Sequence, residues 1–105
     1  MTTITQKDNV ITVSGHSGYA AAGQDIVCAA ISTLTQTFLA TMDNLYPNRI
    51  KYAINEDMAI VEIQLNEDLN QDETILLKSF FIGVSGVAGA YPKHVKIVRE
   101  NASKP

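Results

Sequence analysis

The sequence predicts an α+β fold with the order ββαββαβ, in which five strands form one mixed sheet and two helices pack on one face of it. Short segments alternate apolar with polar residues, as half-buried strands do, and two longer segments repeat apolar residues every three or four positions, as helices do. The chain of 105 residues is 46% hydrophobic, which supports the core of one domain over residues 1–105 without disulfides or metals.

Two strands are predicted at the start of the chain, at 3–6 and 10–14. Lys7-Asp8-Asn9 lies between them and suits a tight turn, because Asp and Asn accept turn conformations. In the second strand, Ile11 and Val13 alternate with Val10, Thr12 and Ser14. This alternation predicts a half-buried strand.

A loop of small residues, 15–24, separates the second strand from the first helix. We expect this loop to be mobile, with Gly15, Ser17, Gly18 and Gly23 as its mobile residues. Asp25 is the expected N-cap, because the next twenty residues carry apolar side chains at helical spacing. Pro47 and Asn48 end that helix.

The second half of the chain is predicted to have the order strand, strand, helix, strand. The predicted segments are a strand at 49–55, a strand at 58–65, an acidic surface connection at 66–72, a helix over 75–87 and a strand at 95–99. Asn55-Glu56-Asp57 is the hairpin turn, and Tyr91-Pro92 ends the second helix. Residues 100–105 are polar and are expected to fray.

Three further features have structural interpretations. Gly83, Gly86 and Gly89 recur every three residues in the second helix, which indicates close helix packing or a dimer contact. The acidic residues within 67–73 are expected to form a solvated loop and helix start. His94, among lysines, is expected to be a solvated residue of the last strand.

Composition excludes several classes of function. A net charge of −3 argues against direct nucleic-acid binding, which usually shows a basic stripe. One cysteine excludes an internal disulfide, and with two histidines and scattered carboxylates no metal site or cofactor is expected. The cysteine usage favours a reducing, cytoplasmic location, and the first ten residues show no signal peptide. We see no run of about twenty apolar residues and therefore expect no membrane span.

The single cysteine, Cys28, is predicted to lie in the first turn of the first helix. Free amide N–H groups and the positive end of the helix dipole favour a thiolate there, and the same amides could donate to the oxyanion of a tetrahedral intermediate. His16 lies at the other end of the loop and can approach Cys28, because closing a loop of about ten residues costs little. A Cys–His pair is sufficient for acyl transfer. The alternative is a small buried cysteine with no catalytic role.

Two nearby residues keep two interpretations each. Asp25 can cap the helix or can orient a protonated His16 as the third member of a triad. Ser32 lies one helical turn beyond Cys28 on the same face. It could bond the sulfur or the substrate, or it could be an ordinary helix serine.

The segment 15–32 resembles the signature of the ribosomal-processing cysteine protease family, Prp. The resemblance rests on His16, a Gly- and Ala-rich stretch, and then Gly23-x-Asp25-Ile26-Val27-Cys28-Ala29-Ala30-x-Ser32. Length, element order and the ending from Tyr91-Pro92 to Val95-Lys96-Ile97 are also similar. Ser17 is a departure, because alanine is expected after the histidine.

This resemblance implies that Cys28 is the nucleophile and His16 the general acid and base. It implies a ribosomal protein precursor as peptide substrate: the N-terminal extension of large-subunit ribosomal protein twenty-seven, cut after an apolar motif ending in Phe-Phe-Ala. It also implies a homodimer.

The sequence therefore leads to a cysteine endopeptidase whose loop, 17–24, opens to admit an extended peptide and closes to bring His16 to Cys28. Apolar pockets would select the aromatic pair of the substrate. A second hypothesis is a non-catalytic, ribosome-associated peptide-binding module of the same fold. A third, a redox or acyl-transfer thiol protein, is weaker because the chain has no second cysteine to resolve an oxidised thiol.

Overall fold

The computed structural model describes residues 1–21 and 25–100, and these form five strands and two helices in the predicted order. The elements are β1 Thr2–Lys7, β2 Val10–Ser14, α1 Ile26–Leu45, β3 Ile50–Asn55, β4 Ile60–Leu65, α2 Gln71–Ala90 and β5 Val95–Glu100. Gly23 and the tail 101–105 lie outside the described residues, so the predictions made for them stay predictions.

The sheet is mixed, with the strand order β3-β4-β2-β1-β5. β1 and β5 pair in parallel, beginning with Thr2 opposite Val95, whereas the other three pairs are antiparallel. The parallel pair brings the end of the chain beside its beginning. As a result, the turn before β5 lies next to the loop that follows β2.

The core forms where the alternating side chains of the sheet meet the helices. Ile4, Ile11 and Ile63 from the three central strands are completely buried. The strands add Val13, Leu65 and Val95, and the helices contribute nine further core side chains: Val27, Ile31, Phe38, Leu39, Met42, Leu77, Phe80, Phe81 and Val84. This one-sided burial is the predicted α+β arrangement.

Gly83 lets the two helices approach closely, as one of the two interpretations of the glycine series predicted. A methyl group at Gly83 would lie 2.8 Å from Cδ2 of Leu34 on α1. A methyl group at Gly86 or Gly89 would meet no atom within 4 Å. Close packing therefore explains Gly83 alone, and a dimer contact stays a prediction for the other two glycines.

Asp72 and Glu73 lie in the first turn of α2, which confirms the expected helix start, but two details of the acidic segment differ from the prediction. The helix begins at Gln71, because Asn70 and Glu73 form a capping box in which each side chain bonds the other residue's backbone N–H. Glu73 is also buried rather than solvated, and its carboxylate accepts two hydrogen bonds from the guanidinium of Arg49, both at 2.8 Å.

Other differences are confined to the ends of elements. β1 extends one residue further in each direction than predicted, β4 begins at Ile60 rather than at residue 58, and Glu100 belongs to β5 instead of the tail. Glu100 pairs with Lys7 of β1, and this partner from the opposite end of the chain extends the strand.

The observation that no run of about twenty residues is apolar enough to span a membrane is wrong, because two helices are. The expectation that the chain has no membrane span stays a prediction. α1 and α2 each have 20 residues and a mean hydropathy of 1.3 in their most apolar window. Both supply buried side chains to the core against the sheet, and core helices commonly meet the same criterion. The criterion alone is therefore weak support for a span.

Candidate active site

Cys28 lies in the first turn of α1, and Asp25 caps that turn as predicted. Asp25 has extended backbone angles, φ −85° and ψ 96°, and its Oδ1 accepts a hydrogen bond from the N–H of Cys28 at 2.9 Å. The carbonyl oxygen of Asp25 accepts from the N–H of Ala29. The Cys28 amide is therefore engaged by the cap, which corrects for this one amide the expectation that the first turn leaves its amides free to bind an oxyanion.

Ser17 connects the loop after β2 to the helix start. Its N–H donates to Sγ of Cys28 at 3.2 Å, and its hydroxyl donates to Oδ2 of Asp25. The same hydroxyl oxygen accepts from the N–H of Tyr19. Ser17 is 2% exposed. These contacts hold Ser17 in place, because shifting it would leave several buried polar groups without partners. Its expected mobility stays a prediction.

Asp25 is a strongly stabilised carboxylate. The hydroxyl of Ser17 is the largest cause that lowers the pKa of Asp25 from 3.8 to about 2; burial acts in the opposite direction, and hydrogen bonds from Cys28 and Ala20 add to the lowering. Both carboxylate oxygens accept from Ser17 and Cys28. The geometry therefore favours the cap over an orienting role toward His16.

His16 has an exposed side chain on a backbone that is held on both sides. On one side, the N–H of Gly15 donates to the carbonyl of Ala59 at 2.9 Å. Gly15 has φ +87°, and a Cβ there would lie 2.6 Å from the carbonyl oxygen of Met1, so this position requires glycine. On the other side, the backbone is fixed by the hydrogen bonds of Ser17 to Cys28 and Asp25. The contacts of Gly15 likewise restrict its movement.

A groove of about 670 Å³ joins His16 and Cys28. One wall is the start of α1, including Ser32, and the other is the β3–β4 hairpin, including Ile54 and Val61. The groove is lined by both polar and apolar residues, and its volume lies in the range of ligand-binding clefts. Ser32 is exposed to it, while the described donor to the Cys28 sulfur is Ser17.

His94 is a residue of the site region that the sequence did not identify. It precedes β5 and is half-buried, and its Nδ1 lies 3.0 Å from the carbonyl oxygen of Ser17. Its ring packs edge-to-face on Tyr19, with centroids 5.5 Å apart. The expectation of a solvated strand residue is wrong, because the β1–β5 pairing brings residue 94 beside residue 17.

Within residues 1–21 and 25–100, no group of three or more His, Cys, Asp or Glu side chains is arranged to hold a metal ion. Among the side chains that line the groove, the thiol of Cys28 is a candidate nucleophile and the imidazole of His16 is a candidate general acid and base. Such a set can perform nucleophilic attack on a carbonyl.

A family model and a related protein both indicate the same protein family. The family model described as cysteine protease Prp matches residues 1–96. The chain is 27% identical over 101 residues to the ribosomal processing cysteine protease Prp of Mycoplasma genitalium, covering 96% of this chain and 98% of that protein.

Solved structures share the fold. The essential ribosomal processing protease Prp of S. aureus, in complex with a covalently linked product peptide, superposes with a TM-score of 0.84 at 17% identity, covering 94% of this chain and 97% of that one. A Streptococcus mutans protein superposes with a TM-score of 0.73 at 25% identity, covering 94% and 93%. The order and packing of the elements therefore match those of solved family structures.

Proposed function

Because the chain belongs to the cysteine protease Prp family, we propose that it removes the N-terminal extension of large-subunit ribosomal protein twenty-seven, with Cys28 as nucleophile and His16 as general acid and base. The chain is a cysteine protease; the substrate, its Phe-Phe-Ala-type motif and the dyad are the proposal. The observation that carries it is the position of Cys28, in a helix first turn, bonded by the Ser17 N–H and open to the groove that His16 also lines.

The reaction follows from these groups. The Cys28 thiolate attacks the scissile carbonyl carbon, and the imidazolium of His16 gives its proton to the departing amine as the C–N bond breaks. This leaves a thioester on Cys28. His16 then takes a proton from water, and the resulting hydroxide displaces the sulfur. The amino-terminal fragment leaves with a new carboxyl group, and the thiolate is regenerated.

The groove supports an extended apolar substrate. Apolar residues from α1 and from the β3–β4 hairpin line the groove together with Cys28: Ala29, Ile31, Ile54, Ile60 and Val61. Apolar walls of this kind recognise aromatic side chains by burying them. The S. aureus protein was solved with a substrate peptide as well as with a product peptide, which supports a peptide in the corresponding groove here.

The test is cleavage of a purified precursor that carries the Phe-Phe-Ala motif, followed by mass spectrometry. We expect the wild type to cut once, after the alanine, and C28A to give no detectable cut. H16A should cut at a rate lower by a factor of about 10³. T33A is the matched control, because Thr33 is an exposed residue of α1, five positions after Cys28, and this variant should retain full activity.

Cleavage by C28A would contradict the dyad. Tight binding of the precursor by the wild type without any cleavage would instead support the peptide-binding module. The proposal also includes a cytoplasmic homodimer. Light scattering after size-exclusion chromatography measures the oligomer, and a monomer of 11.4 kDa at assay concentration would contradict it.

A further inference from the structure

Ser17 is the point at which three separate parts of the structure meet. Its N–H bonds the sulfur of Cys28, its hydroxyl bonds the cap residue Asp25, and its carbonyl oxygen lies 3.0 Å from Nδ1 of His94. Ser17 follows His16 directly in the chain. The position of Ser17 therefore determines where the backbone of His16 lies relative to Cys28.

His94 reaches Ser17 from a rigid part of the fold. The N–H of Thr2 donates to the carbonyl of His94 at 2.9 Å, where β1 and β5 begin to pair. The ring packs edge-to-face on Tyr19, which packs in the same way on Tyr91 with centroids 5.3 Å apart. Since carbonyl oxygens only accept, Nδ1 must carry the proton that it donates to Ser17.

We propose that His94 is a positioning residue for the Cys28–His16 pair and acts through the backbone of Ser17; this inference rests on the proposed function. The Nδ1–H bond keeps Ser17 where its own N–H reaches the sulfur. An N–H donor at hydrogen-bond distance fixes the direction in which the sulfur points. Loss of the His94 donor should therefore reduce both the reactivity of Cys28 and the rate of turnover.

Two variants separate the donor from the ring. H94F retains an aromatic ring for Tyr19 but has no donor, whereas H94N retains an amide donor near the Nδ1 position without the ring. K93A, at the exposed neighbouring residue, is the control. The measurements are kcat and KM on the precursor peptide, the rate of Cys28 alkylation by iodoacetamide at pH 7, and the thermal midpoint.

We expect H94F to lower kcat about tenfold, to change KM less than about twofold, and to slow alkylation about threefold or more. H94N should recover most of both rates, and K93A should match the wild type. If H94F does not fold, H94Q gives the same comparison, because its amide extends toward the Nε2 position instead of Nδ1.

The proposal is overturned if H94F alkylates and cleaves at wild-type rates, or if H94F and H94N lose both rates equally. Alkylation requires no substrate. It therefore decides the role of His94 even if the wild type does not cut the precursor, a result that would defeat only the proposed function.

Discussion

Asp25 contacts both the candidate nucleophile and the loop that carries His16. Oδ1 receives the N–H of Cys28 and Oδ2 receives the hydroxyl of Ser17. The sequence predicts the first contact, since Asp before an apolar helical segment is a common N-cap. The second depends on a serine at a position where the family resemblance leads us to expect alanine, and it is the largest cause of the low pKa of Asp25.

The substitution S17A should raise the pKa of Asp25 from about 2 toward its usual 3.8, because it removes the largest stabilising hydrogen bond. The folded-state pKa lies below the unfolded value. Ionised Asp25 therefore adds stability above about pH 4, and this contribution is lost as the pH falls toward 2. A ¹³C NMR titration of the Asp25 carboxyl measures the pKa directly, with T33A as control. An Asp25 that still titrates near 2 in S17A would contradict this assignment.

The contact between the helices depends on one glycine of a regular series. Gly83, Gly86 and Gly89 are indistinguishable in the sequence, yet only Gly83 faces α1, where a side chain would meet Leu34. Helical spacing predicts that the three glycines lie around the helix rather than on one line. Which of them faces the partner helix follows from how α1 and α2 dock on the sheet.

Alanine at Gly86 and at Gly83 should have opposite effects on stability. G86A should raise the free energy of unfolding by about 0.5–1 kcal/mol through helix propensity, because its methyl group meets no neighbour. G83A should lower it by about 1 kcal/mol, because the new Cβ would lie 2.8 Å from Leu34. Urea denaturation measures both.

The double variant G83A/L34A is the control for this contact. Removing the Leu34 side chain should abolish the penalty of G83A, so the two changes should be non-additive. Additive effects would show that the loss in G83A does not arise from the Leu34 contact.

Across the whole molecule, a buried ion pair ties the start of α2 to the segment before β3. The guanidinium of Arg49 bonds both carboxylate oxygens of Glu73, whose side chain is fully buried, and it also bonds the carbonyl of Asp68. Arg49 is the largest cause of a lowered pKa of Glu73. This pair holds α2 to the hairpin that forms one wall of the groove.

E73Q should lower the free energy of unfolding at pH 7 by about 2–3 kcal/mol, because it leaves Arg49 without its buried partner. The Glu73 pKa lies below its unfolded value of 4.5, so its contribution is present above that pH and is lost as pH falls through the folded value. Urea denaturation from pH 7 down to values below 4.5 should show a flatter pH dependence for E73Q than for the wild type.

D68N is the matched control, because Asp68 contacts the same arginine at 3.5 Å with a side chain 84% exposed. Its effect should stay within about 0.5 kcal/mol. Equal losses in E73Q and D68N would contradict the importance of burial.

The order of the elements, the alternation in β2 and the helix cap before Cys28 could be predicted from the amino-acid sequence. These follow from local rules: alternation for Ile11 and Val13, helical spacing for α1, and the N-cap preference of Asp25. The segment from His16 to Ser32 also carried the family resemblance, which the match over residues 1–96 confirms.

The contacts that surround the segment from His16 to Ser32 depend on tertiary packing. The parallel pairing of β1 with β5 places His94 against Ser17, and the docking of α2 buries Glu73 against Arg49. Both contacts join residues far apart in the chain, which no local pattern encodes. The burial of Ser17 could not be predicted from local sequence patterns either. Its hydrogen bonds with Asp25, Cys28 and His94 exist only after the loop, the helix and the start of the last strand have packed together.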